Sequence, residues 1–352
     1  MVPQPENVVV VVAQLAVIVG LALVYLRVVD MPRAVAGVYT LRDIFVMLGL
    51  IVVLPLIYLR LPGIVLTVIL VVVFSTVITY TVAPLLPRVV PVLVALALVG
   101  ADVWMASTRA DTSIGPGFLA LNDLVVAIAA IGVSNLYAQN GMKSRDVAVF
   151  AFGLAIYDVI ATAWLPIMLE FFTRLLSLPL LPALAWGGRT GGAAIGLGDV
   201  LLITLWSVVA AKAFGMRAAL VSAATSLSCV VGIFVAMMNG VLDEIVPAMV
   251  FLGPLMVVQQ VVFRWHYGRD RTMQEMRTSS AVRVAGDPAR AELERALETR
   301  VALLDATADE YAATWRGEVV ATAPTRWAVV HAARAARPDV VPVIVRLVPD
   351  TR

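Results

Sequence analysis

Long apolar runs broken by short polar segments dominate the first three quarters of the chain. Nine of these runs approach a length of about 20 residues, which a helix needs to cross a bilayer. They cover residues 8–26, 44–59, 64–86, 89–107, 118–137, 147–171, 198–214, 218–238 and 245–263. Because a backbone in lipid must satisfy its own hydrogen bonds, each run predicts a helix. The pattern predicts an all-α polytopic membrane protein with nine transmembrane helices.

The segment ahead of the first run contains Glu6 and no basic residue. A cleaved signal peptide normally carries a positive segment at this place, so we interpret the first run as a retained span. Composition agrees with a membrane protein, since 61% of the residues are hydrophobic and only 14% are charged. The net charge of +2 is small, and no basic cluster interleaved with aromatic residues indicates a nucleic-acid partner.

Cysteine and histidine are too scarce for several kinds of site. Cys229 is the single cysteine, which excludes an intrachain disulfide and a multi-cysteine metal site. His266 and His331 are the two histidines, and both lie outside the apolar runs, so a histidine zinc site within the membrane has no ligands. The sequence therefore predicts neither a metal nor a cofactor.

The basic residues in the loops predict the orientation of the chain, because they are enriched on the cytoplasmic side of membranes. With nine spans, the loops on the side of the N-terminus hold four basic residues and the opposite loops hold twelve. The four are Arg60, Arg109, Arg174 and Arg189, and the twelve are Arg27, Arg33, Arg42, Arg88, Lys143, Arg145, Lys212, Arg217, Arg264, Arg269, Arg271 and Arg277. We expect the N-terminus outside and the C-terminus in the cytoplasm. The Ala, Val and Arg bias favours a bacterial plasma membrane.

Two segments differ from the apolar runs. Residues 175–195 combine Leu and Ala with helix-breaking Pro and Gly, which favours either an interfacial segment that roofs a cavity or a flexible connection. The tail is soluble in character, and we divide the chain into a transmembrane domain at 1–265, a charged linker with an amphipathic helix at 266–313, and a module at 314–352. The module is predicted to be β-α-β, with strands at 318–322 and 341–347 around a helix at 326–337.

Aspartates within the apolar runs are candidates for function, because a charged side chain in a spanning helix is costly. Asp102, Asp158 and Asp199 lie inside runs, and Asp123 beside Asn122 lies near the start of the fifth run, where an interfacial position is expected. Nothing near Asp102 repeats the surroundings of the other two. We therefore interpret Asp102 as structural and Asp158 and Asp199 as the functional pair.

The neighbours of the two functional candidates set them apart. Gly196 and Gly198 precede Asp199, and they allow another backbone to approach where a helix begins. Tyr157 offers a phenolic hydroxyl beside Asp158. Downstream, the sequence Pro247-Ala248-Met249 is predicted to interrupt the ninth span and to free backbone groups with which an extended peptide could pair.

Together these residues resemble the presenilin and signal peptide peptidase family of intramembrane aspartyl proteases. That family has a YD motif, a GxGD motif and a PAL motif on spans six, seven and nine of a nine-helix bundle. Here the motifs are Tyr157-Asp158, Gly196-Leu197-Gly198-Asp199 and Pro247-Ala248-Met249. Met249 replaces the usual leucine, a substitution of similar volume and polarity. The residues after Pro247 look closer to signal peptide peptidases, although Val246 stands where glutamine is usual.

The resemblance implies an aspartic endopeptidase with Asp158 and Asp199 as its catalytic pair. Tyr157, Gly196, Leu197, Gly198 and the Pro-Ala-Met motif would support the active site or bind substrate. The implied partners are transmembrane helical substrate peptides, or remnants of signal peptides, and membrane lipid. Whether the chain forms a homo-oligomer is left open by the sequence.

Other interpretations explain the same aspartates. They could hydrogen-bond neighbouring helices in a catalytically inactive membrane protein. They could couple proton movement in a transporter, which would predict an internal repeat of spans, and no convincing repeat is found. A prepilin peptidase-like protease also carries a GxGD motif, but the cytosolic cysteine-rich insert common in that class has no counterpart here.

Overall fold

The structure is a computed structural model that describes residues 3–31, 41–87, 89–108, 115–164, 179–187, 192–242, 246–278, 311–315, 318–338 and 342–347. The chain divides into two compact units, Met1–Val282 and Arg283–Arg352. The amphipathic helix expected near residues 287–310 lies outside the described residues. Each unit is presented by itself.

Helices make up most of the first unit. In chain order they are α1 (Pro5–Val28), α2 (Leu41–Arg60), α3 (Gly63–Val82), α4 (Val90–Ser107), α5 (Pro116–Gln139), α6 (Ser144–Val159), α7 (Leu197–Phe214), α8 (Met216–Met238), α9 (Met249–Tyr267) and α10 (Met273–Thr278). A π-helical turn, Ile160–Trp164, continues α6. The hairpin strands β1 (Ala183–Trp186) and β2 (Ala193–Gly196) precede α7.

Seven helices in the described part of the chain are long and apolar enough to span a membrane. These are α1 to α5, α7 and α8. The other two expected spans correspond to α6, which has 16 residues, and to α9, in which Gln259, Gln260 and Arg264 lower the hydropathy. The fold is thus mostly helical with seven candidate spans.

Helix α7 forms the centre of the first unit. Apart from Asp199 and Lys212, its side chains are mostly apolar or small on every face, a pattern typical of a helix enclosed by others, and most of them are buried. Trp206 and Phe214 are fully buried. The Trp206 indole donates a hydrogen bond of 2.5 Å to Gln259 on α9, and Gln259 donates in turn to Thr225 on α8. Polar side chains therefore join three helices inside the core.

The remaining spans pack on one side and expose apolar residues on the other. Phe74 and Ile78 of α3 pack with Val99 of α4 and Val125 of α5. In contrast, α2, α3 and α4 leave many Val, Leu and Ile side chains exposed. In a membrane this apolar exterior faces lipid, where it costs no hydrophobic free energy.

The β1–β2 hairpin forms in the region of residues 175–195, for which the sequence left open an interfacial or cavity-roofing segment and a flexible connection. Its strands pair antiparallel, from Ala183 opposite Gly196 to Trp186 opposite Ala193. The all-α prediction was wrong here because the apolar Ala and Leu residues of this segment satisfy their backbone groups through a ladder instead of a helix.

Polar groups gather at one end of the helices. The Lys212 ammonium is buried and donates a 2.9 Å hydrogen bond to the Ala138 carbonyl and a further one to the Met142 carbonyl, at the end of α5. Asp270 accepts hydrogen bonds from the amide and the hydroxyl of Ser144, at the start of α6. A cation at a helix C-terminus also interacts favourably with the helix dipole.

The segment after α9 is fixed to the same end. The Arg271 amide donates to the Ala213 carbonyl at 3.2 Å, and its guanidinium donates to the Ala211 carbonyl at 3.1 Å. Hydrogen bonds from Arg269 lower the pKa of Glu275 to about 2. This pair therefore stabilises the fold above the ordinary carboxyl pKa, and the contribution is lost only as the pH falls towards about 2.

The second unit contains β3 (Tyr311–Trp315), β4 (Glu318–Ala323), α11 (Arg326–Ala336) and β5 (Val343–Arg346). The strands form an antiparallel sheet in the order β4-β3-β5. The predicted β-α-β module thus lacked a strand, since Tyr311, assigned from its spacing to the amphipathic helix, pairs with Ala323 in the sheet. The helical spacing of Leu293, Leu297, Leu304 and Tyr311 does not extend to Tyr311, which begins a strand whose three middle residues are all buried.

We expect Lys212→Met to destabilise the first unit by about 1–3 kcal/mol, because two buried carbonyls lose their charged donor. Lys143→Met is the matched control, since Lys143 is the other lysine of the chain and is exposed. Thermal unfolding in detergent, followed by tryptophan fluorescence, measures both variants. Equal midpoints for the two would contradict this account of the Lys212 contacts.

Candidate active site

Asp158 lies on the face of α6 that packs against α9. Ala151, Ala155 and Asp158 are spaced by four and three residues, so they share one side of the helix. All three are buried, and the Asp158 side chain is 8% exposed. The α-helical hydrogen bonding of α6 changes directly after Val159 into the π-helical turn, a local irregularity often found at functional sites.

The Asp158 carboxylate accepts a hydrogen bond from the backbone amide of Met249. Met249 is the first residue of α9, and its N-cap, Ala248, supplies no side-chain hydrogen bond. The first amides of a helix have no partner within it, so a carboxylate from another helix fills this role here. Asp158 thus caps α9 and joins two of the three motifs seen in the sequence.

The position of Pro247 differs from the expectation of a break within the ninth span. Helix α9 begins at Met249, so Pro247 and Ala248 precede the helix. The Pro247 carbonyl accepts from the Val250 amide at 3.2 Å, which starts the first turn. Proline is favoured at helix starts because its missing N–H would have no partner there. The first-turn amides already have partners, since Met249 donates to Asp158 and Val250, Phe251 and Leu252 donate to the carbonyls of Pro247 and Ala248, so the freed backbone groups expected from the motif are not seen here.

Close backbone contact fixes α6 against α9. A Cβ atom added to Gly253 would lie 2.7 Å from the Ala151 carbonyl oxygen and 2.8 Å from the Ala155 Cβ. Gly253 is one turn after Met249, and the two alanines are one and two turns before Asp158. Small residues permit such an approach between membrane helices. This contact therefore sets the spacing at which Asp158 meets the Met249 amide.

Asp199 is the third residue of α7, immediately after the hairpin. Gly196 is both the last residue of β2 and the N-cap of α7, with φ −60° and ψ 145°. An added Cβ on Gly196 would lie 3.3 Å from the Asp199 Oδ2, so the carboxylate folds back over this glycine. At Gly198 an added Cβ would meet nothing within 4 Å. Open space therefore adjoins the half-buried Asp199.

The two carboxyl groups interact electrostatically with each other. Each lies at the N-terminal end of a helix, Asp158 at α9 and Asp199 within the first turn of α7, where the helix dipole favours negative charge. The half-buried Tyr157 hydroxyl also interacts with the Asp158 charge. The Leu197 amide donates to the Pro182 carbonyl at 2.9 Å, which ties the start of α7 to the hairpin. The structure thus brings the three motifs into one region.

Sequence reasoning missed the polar residues that hold the hairpin. Asp102 accepts a 3.2 Å hydrogen bond from the amide of Leu180, a residue with φ of +60°. Asn122 and Asp123 bind β1, and Asp123 is buried, with 4% of its surface exposed. The signal was present, because a polar side chain inside an apolar run needs an internal partner.

The site was tested for metal ligands and for relatives. Among the residues that the structure describes, no group of three or more His, Cys, Asp or Glu side chains could hold a metal ion. Compared with protein-family models and with curated proteins, the chain matches none.

We expect Gly253→Ala to destabilise the first unit by about 1–3 kcal/mol, since the added methyl group meets a backbone carbonyl that cannot rotate away. Gly232→Ala is the control, because an added Cβ there meets nothing within 4 Å. Thermal unfolding in detergent compares the two alanine variants. An unchanged midpoint for Gly253→Ala would show that α6 and α9 are not held by this contact.

Proposed function

We propose that this protein is an intramembrane aspartyl protease that hydrolyses peptide bonds in transmembrane segments. The observation that carries the proposal is the placement of two aspartates from different helices within electrostatic range of each other, with Asp158 bound to the start of α9. Among the residues that the structure describes, neither Asp158 nor Asp199 forms a salt bridge that would explain such costly groups as a structural ion pair. The resemblance of the three motifs to the presenilin and signal peptide peptidase family supports the same chemistry.

The proposed mechanism uses one proton shared by the pair. Two carboxyl groups in contact do not both ionise readily, so one stays protonated. The ionised group removes a proton from water, whose oxygen attacks the scissile carbonyl carbon, while the protonated group donates its proton to the carbonyl oxygen. The tetrahedral gem-diol then collapses: the carboxyl group that holds the water proton gives it to the amine nitrogen, the C–N bond breaks, and the other, now ionised group takes a proton from one hydroxyl, so that the pair again holds one proton. Neither a metal nor a cofactor enters these steps.

The surroundings of the pair suit a peptide substrate. A helical substrate must unwind locally, because its carbonyls are hydrogen-bonded and enclosed. The open space beside Gly198, next to Asp199, gives room for an extended segment. Tyr157, Leu197, Pro247 and Ala248 are the proposed supports around it.

The full proposal includes nine spans. Helix α6 with its π-helical turn covers 21 residues from Ser144 to Trp164, and α9 covers 19, lengths that can cross a bilayer with the seven candidate spans. The distribution of arginine and lysine then places the N-terminus outside and the tail in the cytoplasm of a bacterial plasma membrane. This is the orientation of signal peptide peptidases, and the substrate would be a single-span protein or signal peptide remnant with a cytoplasmic N-terminus.

Replacing Asp158 or Asp199 by Asn is expected to abolish cleavage of a transmembrane peptide, because neither amide can exchange the required proton. Asp43→Asn, an exposed carboxylate at the start of α2, is the control that keeps activity. Mass spectrometry of the products, with and without a transition-state aspartyl inhibitor, measures cleavage, and thermal unfolding confirms folding. Cleavage by folded Asp199→Asn at the wild-type rate would refute the proposal. Proton-coupled transport without peptide cleavage would favour the transporter.

Reporter fusions test the proposed orientation. A fusion after Arg269 should be active as a cytoplasmic reporter, and one before Val8 should be active as an extracytoplasmic reporter, because twelve of the sixteen counted basic residues lie on the C-terminal side. A reversed pattern would place the tail outside. It would also reverse the direction in which a substrate strand passes the two aspartates.

A further inference from the structure

The outer edge of strand β1 is occupied by two side chains of helix α5. The Asn122 amide donates a 3.0 Å hydrogen bond to the Ala183 carbonyl, and the Asp123 carboxylate accepts a 3.0 Å hydrogen bond from the Ala185 amide. Both polar residues are nearly completely buried. Neither contact is part of the ladder between β1 and β2.

These two contacts are the ones that a third strand would make. In an antiparallel ladder, alternate residues direct their amide and carbonyl to opposite edges. The Ala183 carbonyl and the Ala185 amide point to the edge of β1 that lies against α5. The backbone amides and carbonyls of Leu184 and Trp186 therefore point to β2. One side-chain donor and one side-chain acceptor, on adjacent residues of α5, thus replace a strand neighbour on this edge.

Further polar contacts hold the same region from two other helices. Gln14 of α1 donates to the second oxygen of Asp123 at 2.9 Å. Asp102 of α4 accepts from the Leu180 amide, just before the hairpin, where the positive φ of this non-glycine residue is a costly conformation. Side chains of α1, α4 and α5 therefore converge on β1 and its approach.

The position of β1 determines the position of Asp199. Ala183 in β1 pairs with Gly196, and Gly196 caps α7 three residues before Asp199. A shift of the hairpin by one residue would exchange the faces of every side chain in β2. Inside a membrane, an amide that loses its partner costs several kcal/mol, so the side-chain contacts to β1 select one register.

We propose that Asn122 and Asp123 are positioning residues for Asp199, which act by fixing the β1 edge and hence the register of the hairpin. The proposal deepens the proposed protease function and rests on it for its catalytic readout. It concerns residues that lie outside the three motifs and that touch neither substrate nor the reacting atoms.

The test uses two substitutions and two controls in the full-length protein. Asn122→Leu and Asp123→Leu remove the donor and the acceptor. Asp123→Asn retains an acceptor oxygen for the Ala185 amide and should rescue. Asn135→Leu is the matched structural control, since Asn135 is a fully buried amide on the same helix that donates to the Ala22 carbonyl of α1 at 3.1 Å and not to the hairpin.

The first readout needs no catalysis. In a Cys229→Ser background, spin labels at Ala194→Cys on β2 and Val258→Cys on α9, both exposed, report the distance between the hairpin and α9 by pulsed electron resonance. The distance distribution should broaden or shift in Asn122→Leu and Asp123→Leu, and stay as in wild type in Asp123→Asn and Asn135→Leu. An unchanged distribution in both leucine variants would overturn the proposal.

The second readout is cleavage. A displacement of about 1 Å in a reacting group lowers kcat by about a hundredfold, so Asp123→Leu should lose kcat with little change in KM, and its products should include cuts at neighbouring bonds. Asn135→Leu should keep the wild-type cleavage sites. If Asp123→Leu shows altered distances but has the same cleavage sites and the same kcat as Asn135→Leu, the positioning role is overturned. Absence of cleavage by wild type would overturn the protease function, and the distances would then decide alone whether Asn122 and Asp123 hold the hairpin.

Discussion

Every backbone amide and carbonyl inside a bilayer needs a partner from the protein, and this requirement shapes the candidate site. Helices satisfy it locally, but the hairpin and the start of α9 do not. The missing partners come from side chains on other helices, as Asp158 provides for Met249 and Asp123 provides for Ala185. The costly aspartates and the irregular backbone therefore occur together, because each carboxylate and each backbone amide gains a hydrogen-bond partner from the other.

This pairing gives Asp158 two roles in the proposed enzyme. As the cap of α9 it stabilises the fold, and losing a cap typically costs about 1 kcal/mol. As one of the proposed catalytic pair it must also exchange protons. Replacement by alanine removes both roles, whereas asparagine keeps an acceptor for the Met249 amide, so the asparagine variant separates chemistry from folding.

The sequence was most informative where a single local rule decides the structure. Long apolar runs located α1 to α5, α7 and α8, and glycine at 196 together with aspartate at 199 correctly marked the start of a helix. It was least informative where partners are distant in the chain. The hairpin depends on Asn122 and Asp123, about 60 residues earlier, and a pattern confined to residues 175–195 does not contain them.

The small residues at the contact between α6 and α9 have a mechanical consequence. Helix α6 packs far more extensively on α9 than on α7, and α7 packs extensively on α5. Asp158 and Asp199 therefore lie on helices that pack mainly on different neighbours. Helices tilt when the thickness of the bilayer changes. In the proposed enzyme, membrane thickness would thus be a physical variable that can change the separation of the two carboxylates without any ligand.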